Sequence, residues 1–250
     1  VSERLVWAVA LGILGAIIGS FVAALVTRWR DDRSVMQGRS ACDSCGTTLG
    51  PVELVPLVSA LVQRGRCRTC RAPIAPLHWR IELAALAIGA VSGGVVAGPA
   101  ALAGAAFGWL LLALGSLDLI AFWLPDRLTA TLALGGAVSA IWFDPGPLDR
   151  AIGGAAGFGV LWTIAAVYRR VRGRDGMGGG DPKLFGAIGL WLGWQLLPAV
   201  LLIASMVGLG AVLATRLRGR AVAADTALPF GTLLAIAAYP AWLFMIAGAP

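Results

Sequence analysis

A polytopic all-α membrane protein, with about eight transmembrane helices and a polar zinc-ribbon-like loop between the first and second, is the fold class this sequence predicts. Three observations lead there. Mean hydropathy is +0.83. Only 13% of the residues are charged, against about 25% in an ordinary soluble domain. The basic residues stand in short clusters between apolar runs instead of spreading over a polar face. The net charge of +7 by itself would suit a nucleic-acid partner, but clusters in those positions read as topology signals. The expected environment is a lipid bilayer, and no nucleic-acid partner is expected.

Taken in order, apolar segments fall at about 5–27, 81–97, 101–117, 127–143, 151–168, 184–196, 198–215 and 228–247. The first, from Leu5 to Val26, is about 20 residues long, enough to span hydrocarbon. No small-residue cleavage site precedes a soluble domain, so it reads as an anchor and not as a signal peptide. The runs Ile81 to Leu117 and Lys183 to Leu217 are each too long for one span. Each holds a break, at Ser92-Gly93-Gly94 with Gly98-Pro99 and at Gln195 with Pro198.

With an outside N-terminus, this division places the Arg residues from Arg28 to Arg80, then Arg127, Arg169 to Arg174, Lys183, and Arg216, Arg218 and Arg220 on the cytoplasmic side. Only Arg4 and Arg150 fall outside. Both termini are then outside, and Asp118, Asp126 and Asp181 lie at the cytoplasmic boundary. The sixth segment is short, about 13 residues or roughly 20 Å against a hydrocarbon core of about 30 Å. It should begin within the membrane, so that the glycine-rich loop before it (Gly176, Gly178, Gly179, Gly180) dips into protein-covered or wet surroundings. Pro182 suits the first turn of the helix that follows.

The chain thus divides into a first helix (1–27), a cytoplasmic loop (28–80) and a transmembrane bundle (81–250). The loop carries Cys42-x-x-Cys45 and Cys67-x-x-Cys70. Two such pairs can converge four thiolates tetrahedrally, which is the geometry of a structural zinc site with no open position for chemistry. A redox dithiol and unmetallated pairs are the other readings of these cysteines. Arg64, Arg66, Arg68 and Arg71 surround the second pair, where they favour thiolate and can touch lipid headgroups.

Asp118 and Asp181 carry the chemical hypothesis. An ionisable residue at a membrane helix end is costly and marks a functional site by default. Two carboxyls close together in a partly desolvated site share a proton, so one serves as acid and the other as base. Each could instead be a helix N-cap or an interfacial anchor, a reading that suits Asp126 best because it follows Pro125 and opens a helix. His78 is the one histidine, beside Trp79 and Arg80, and reads as interfacial; histidine-based hydrolysis is not expected. The ten tryptophans gather mostly at segment ends, as an aromatic belt does. A non-enzymatic zinc-ribbon assembly factor and a transporter remain alternative readings of the composition alone.

Ordered features along nearly the whole chain resemble the bacterial type IV prepilin peptidases, a family of membrane aspartyl proteases. They are Gly19-Ser20-Phe21, the four cysteines, Glu53-Leu-Val-Pro56-Leu-Val-Ser59, Arg64-Gly-Arg-Cys67-Arg-Thr-Cys70, Glu82, Asp118 with Pro125-Asp126, Gly178-Gly-Gly-Asp181-Pro-Lys183-Leu, and Pro229-Phe230-Gly231. The resemblance implies that Asp118 and Asp181 are the catalytic pair, Asp181 within a Gly-x-Gly-Asp motif, with Asp126, Lys183, Gly178 and Gly180 in support. It implies cleavage of a basic leader from type IV prepilins or type II secretion pseudopilins at the cytoplasmic face of the bacterial inner membrane. It further implies N-methylation of the new terminus with S-adenosylmethionine, a function of the N-terminal region to which Glu53 and Glu82 are candidate contributors. Where the family usually continues Gly-Ser-Phe-Leu-Asn-Val, this chain reads Gly19-Ser20-Phe21-Val22-Ala23-Ala24.

Overall fold

The computed structural model describes residues 2–30, 40–219 and 227–248. Arg33, Arg39 and Arg220, three of the clustered basic residues, lie outside the described residues. Helices follow in the order α1 (Glu3–Arg30), α2 (Val58–Val62), α3 (Leu77–Val95), α4 (Pro99–Ala121), α5 (Asp126–Ser139), α6 (Pro147–Arg172), α7 (Gly180–Leu192), α8 (Leu197–Leu217) and α9 (Phe230–Ala247), with a 3₁₀ turn at Pro51–Leu54. Each of the eight apolar segments is a helix, and only isolated β-bridges accompany them among the described residues. Five helices, α1, α4, α6, α8 and α9, are long and apolar enough to cross a membrane. The other three fall short for separate reasons. α3 starts four residues before its apolar run and carries Arg80 and Glu82 in its first turns, whereas α5 and α7 have 14 and 13 residues.

Two compact units divide after Ala113, within α4. In the first, α1 and α3 pack antiparallel through small residues. A Cβ on Gly15 would lie 2.2 Å from the Ala85 carbonyl oxygen, one on Gly19 would lie 2.7 Å from Glu82 Cα, and one on Gly89 would lie 2.0 Å from the Leu11 carbonyl oxygen. Gly15-xxx-Gly19 on α1 and Gly89-xxx-Gly93 on α3 thus place backbone against backbone, the means by which helices associate where no hydrophobic effect operates between them. Leu11, Ala85, Ala101, Ala105 and Trp109 form the core of this unit, and the Trp109 indole donates to the Ala85 carbonyl at 2.8 Å.

In the second unit α7 is the central element, packed by α5, α6 and α9. Every residue from Pro182 to Leu192 except Lys183 and Leu190 is buried. Its C-terminal end is gripped by Arg150, itself 3% exposed. The guanidinium donates to the carbonyls of Pro145 (2.7 Å), Gly136 (2.9 Å), Leu190 (3.2 Å), Phe143 (3.0 Å) and Asp144 (3.1 Å), and to Ser139 Oγ (2.7 Å). Arg150, which the charge pattern assigned to the outer side, is thus a buried fork that serves the final carbonyls of α5 and α7, groups a helix cannot satisfy itself.

Replacing Arg150 with Ala strands these buried carbonyls, and a broken buried charge network costs about 3–5 kcal/mol. The expected result is a thermal midpoint in detergent lower by roughly 6–20 °C, with Arg150→Lys restoring only part of it because a point charge cannot reproduce the fork. A midpoint unchanged in Arg150→Ala contradicts the anchoring role.

Candidate active site and cysteine cluster

Asp118 closes the long helix α4 and Asp181 opens the short helix α7, and both are buried, at 5% and 6% exposure. Their carboxylates lie near enough for the charge of one to act on the other. The start of α9 packs against the Asp118 carboxyl. Thr232 N donates to Asp118 Oδ2 at 2.8 Å. The Thr232 hydroxyl lies 2.8 Å from the Gly115 carbonyl and 3.2 Å from Asp118 Oδ2, and its single proton serves one of them at a time.

Glycine is required here by space. A Cβ on Gly231 would stand 3.1 Å from the Asp118 carboxyl and 3.0 Å from Leu124 Cδ1, and one on Gly180 would stand 2.8 Å from Leu124 Cβ. Leu124, buried in the segment between α4 and α5, therefore wedges between the two glycines that flank the acids. Gly178 approaches the Asp181 carboxyl, 3.4 Å from its Cβ position.

Asp126 and Lys183 form an ion pair with each other at 2.7 Å, with side chains 73% and 49% exposed. Asp126 is the first residue of α5 but makes no N-cap bond; Pro125 holds the cap position. The cap reading of Asp126 therefore fails, and the carboxylate instead ties the start of α5 to the start of α7. An exposed pair of this kind contributes at most about 1 kcal/mol.

In the loop between α1 and α3 the two Cys-x-x-Cys pairs fold as matching knuckles. Gly46 N donates to Cys42 O at 2.9 Å and Arg71 N to Cys67 O at 3.0 Å, while Cys42 N and Cys67 N reach forward to Thr47 O (2.9 Å) and Ala72 O (2.8 Å). The turn residues Gly46 and Arg71 share positive φ, 71° and 62°. The four cysteines are unbridged, and their Sγ atoms all lie within 4.8 Å of one another, with Cys42 and Cys70 at 3.8 Å. Tetrahedral ligation with metal–sulfur bonds of about 2.3 Å sets neighbouring sulfurs about 3.8 Å apart, so the cluster fits a metal ion. Local hydrogen bonds favour the ligand form at two of the thiols: the Thr47 side chain, 3.2 Å from Cys45 Sγ, holds that thiol down at about 6, and the amides of Cys70 and Thr69 hold Cys67 below its ordinary value, whereas desolvation and the neighbouring thiols push Cys70 up to about 11.

Glu53 and Glu82 hold backbone. Glu53 Oε2 accepts the Gly50 amide at 2.7 Å and caps the 3₁₀ turn. Glu82, 7% exposed, accepts the Leu57 amide at 2.8 Å. Leu57 has φ 60° and ψ −44°, and Val58 N bonds Pro56 O at 2.6 Å, which makes a γ-turn of the rare positive-φ kind. His78 lies in the first turn of α3 with Nδ1 buried and lacking a hydrogen-bond partner among the described residues.

Residues 13–93 match the family described as the bacterial peptidase A24 N-terminal domain, and residues 105–213 match the type IV leader peptidase family. Proteins named prepilin leader peptidase/N-methyltransferase are similar along most of the chain. The one from Burkholderia pseudomallei (strain K96243) is 38% identical over 253 residues, covering 89% of this chain and 81% of the relative. That from Aeromonas hydrophila is 40% identical, covering 84% and 73%, and that from Pseudomonas aeruginosa is 34% identical, covering 97% and 92%. The chain belongs to the type IV leader peptidase family. It is accordingly a multi-pass membrane peptidase of the inner membrane. No solved structure matches it.

The leader peptidase match contains both aspartates but ends before Gly231 and Thr232. The sequence reading placed Pro229-Phe230-Gly231 among the family features without a task, and it missed Thr232. The only local signal was a glycine followed by a hydroxyl residue at a helix start, a pattern too common to single out.

Gly46 meets no neighbouring atom within 4 Å, so an added methyl there costs only backbone strain, about 1–2 kcal/mol for positive φ. Gly46→Ala should release its metal to a chelator roughly fivefold more readily or more, with the peptide fold otherwise intact; equal retention in a competition titration would contradict the knuckle geometry.

Proposed function

We propose that Asp118 and Asp181 form the catalytic dyad of an endopeptidase that removes the leader from prepilins or pseudopilins at the cytoplasmic face of the membrane. The observation that carries this reading is the burial of both carboxylates about one wedge, Leu124, which meets Gly231 beside Asp118 and Gly180 beside Asp181. Burying two adjacent acids has no use in packing, since an unpaired charge in a desolvated place is expensive.

In the mechanism the pair holds one proton. Asp118 serves as base, because the Thr232 donors on its Oδ2 favour a carboxylate. It takes a proton from a water molecule as that water attacks the scissile carbonyl carbon. Asp181, protonated, donates to the carbonyl oxygen, giving a neutral tetrahedral diol. Proton return to the departing nitrogen then breaks the C–N bond, and no acyl-enzyme forms. Asp126 and Lys183 support the site from the surface by joining the ends of α5 and α7.

Zinc is the metal we assign to Cys42, Cys45, Cys67 and Cys70. Four sulfur ligands leave no open position, so its task is to hold the knuckles together. The names of the relatives favour a second reaction on the product. S-adenosylmethionine, when bound, supplies a methyl group to the amine that cleavage exposes. Glu53 and Glu82 are engaged by backbone amides, so their part in that reaction is to hold the segment 50–57 in place. Both termini are assigned to the outer face, from the clustering of Lys and Arg. A zinc-ribbon assembly factor without catalysis would leave the buried acid pair without a purpose.

Incubation of the purified enzyme with a prepilin peptide, read by mass, tests the assignment. Asp118→Asn and Asp181→Asn should each abolish cleavage while expression and thermal midpoint stay near wild type. Thr232→Val, which keeps the amide donor and removes the hydroxyl, should slow cleavage by about tenfold to a hundredfold, the worth of one hydrogen bond to a charged group. Cleavage by either Asn variant at more than a trace of the wild-type rate would sink the dyad. With S-adenosylmethionine present, a product without an added methyl group would remove the second reaction.

A further inference from the structure

We infer that the segment from Val52 to Val62 is seated in the headgroup layer of the same bilayer that the chain spans, clamped there by anionic phospholipid. Six aliphatic side chains of this short stretch, Val52, Leu54, Val55, Val58, Leu61 and Val62, are open to the surroundings, between 43% (Val55) and 77% (Leu61) exposed. A cluster of that kind in a polar loop marks a contact surface.

The depth of the segment identifies what covers it. Gly19 of α1 abuts Glu82 of α3, and Glu82 in turn holds the Leu57 amide. Gly19 lies nine residues before Arg28, the first charged residue on that side of the apolar run, which is about 13 Å along a helix axis. A glutamate side chain and its hydrogen bond together reach about 8 Å. Leu57, in the middle of the apolar stretch, therefore stays below the level of Arg28 even with Glu82 extended toward the helix end. At that level the surroundings are the boundary between headgroups and acyl chains, where apolar faces of peripheral segments bury about 5–10 Å deep.

Charge agrees with that placement. Immediately after Val62 come Arg64, Arg66, Arg68 and Arg71, all exposed, on the rigid second knuckle. Trp29 at the end of α1 and Trp79 at the start of α3 are exposed at 44% and 40%, the aromatic pattern of an interface. The arginine stems can lie along the apolar layer while their guanidinium groups meet lipid phosphate. The γ-turn at Leu57 gains a purpose in this arrangement, since it breaks the segment into two short apolar arms that lie flat on either side of the Glu82 anchor.

The test uses the full chain with its metal bound, in nanodiscs of phosphatidylcholine with phosphatidylglycerol, doped with a phospholipid that carries a photoreactive diazirine on its acyl chain. After irradiation, peptide mapping should find residues 52–62 labelled to an extent comparable with α9, and residues 43–49 unlabelled. Leu61→Asp/Val62→Asp should lose that labelling with metal content unchanged. Arg64→Glu/Arg68→Glu should weaken it in anionic discs, by roughly fivefold per arginine, and not in phosphatidylcholine alone. Labelling of 52–62 no higher than that of 43–49 overturns the inference. So does labelling indifferent to both variants, or protection of the segment that arises only when a prepilin peptide is added, which would make the surface a protein-docking site.

Discussion

Enclosure of α7 is the constraint on which the second unit depends. A helix of 13 residues is about 20 Å long, too short to carry its unsatisfied terminal groups out to water on both sides. In hydrocarbon those groups must find partners inside the protein. At one end Arg150 takes the Leu190 carbonyl, and Trp191 fixes the flank by donating to the Leu132 carbonyl at 2.7 Å. At the other end stand Gly178, Asp181 and the start of α9. The close packing of Gly153 and Gly157 of α6 on Gly189, Phe185 and Gly186 of α7 completes the enclosure. A helix start kept inside the protein is also a place where an acid can be desolvated and yet supplied with amide donors. The same shortness that makes α7 costly therefore creates the position that Asp181 occupies.

Composition and charge clustering sufficed to read eight helices, because hydropathy is a property each segment carries by itself. Asp118 and Asp181 also stood out, since ionisable residues in apolar runs are rare. The parts that stayed hidden are those set by contact. Arg150 reads in the sequence as an isolated basic residue, and its six acceptors come from α5, the following loop and α7. Thr232 approaches Asp118 across more than a hundred residues of chain. Asp126 seemed a helix cap from its local context, and a lysine 57 residues away decided otherwise. Local pattern cannot anticipate a partner of that kind.

The amino-terminal unit solves a different problem, that of fixing a polar loop to a pair of membrane helices. With a metal ion bound, its four-cysteine cluster would hold the loop together without a hydrophobic core, since a closed four-thiolate site supplies folding energy directly. Glu82 couples that loop to α3. Because Glu82 packs on Gly19, any side chain at position 19 would push α1 away from the anchor. Gly19, Glu82 and Leu57 thus act as one joint, and the sequence features that seemed scattered along the chain are its three pieces.

Ala23 bears on what that joint can do. It lies one helical turn beyond Gly19 and is fully buried, and its carbonyl accepts the Thr27 hydroxyl at 2.9 Å. An asparagine at this place would bring a buried amide that needs partners. Alanine brings none, so the departure from the usual family pattern adds no buried polar group at position 23. Any methyl transfer by this chain proceeds without a side-chain amide at position 23. On the loop side of the joint, Glu53 and Glu82 hold the backbone of residues 50–57 in one strained conformation. Strain of that kind persists only where the surroundings over-determine it, and here two carboxylates and a metal-fitting knuckle do so.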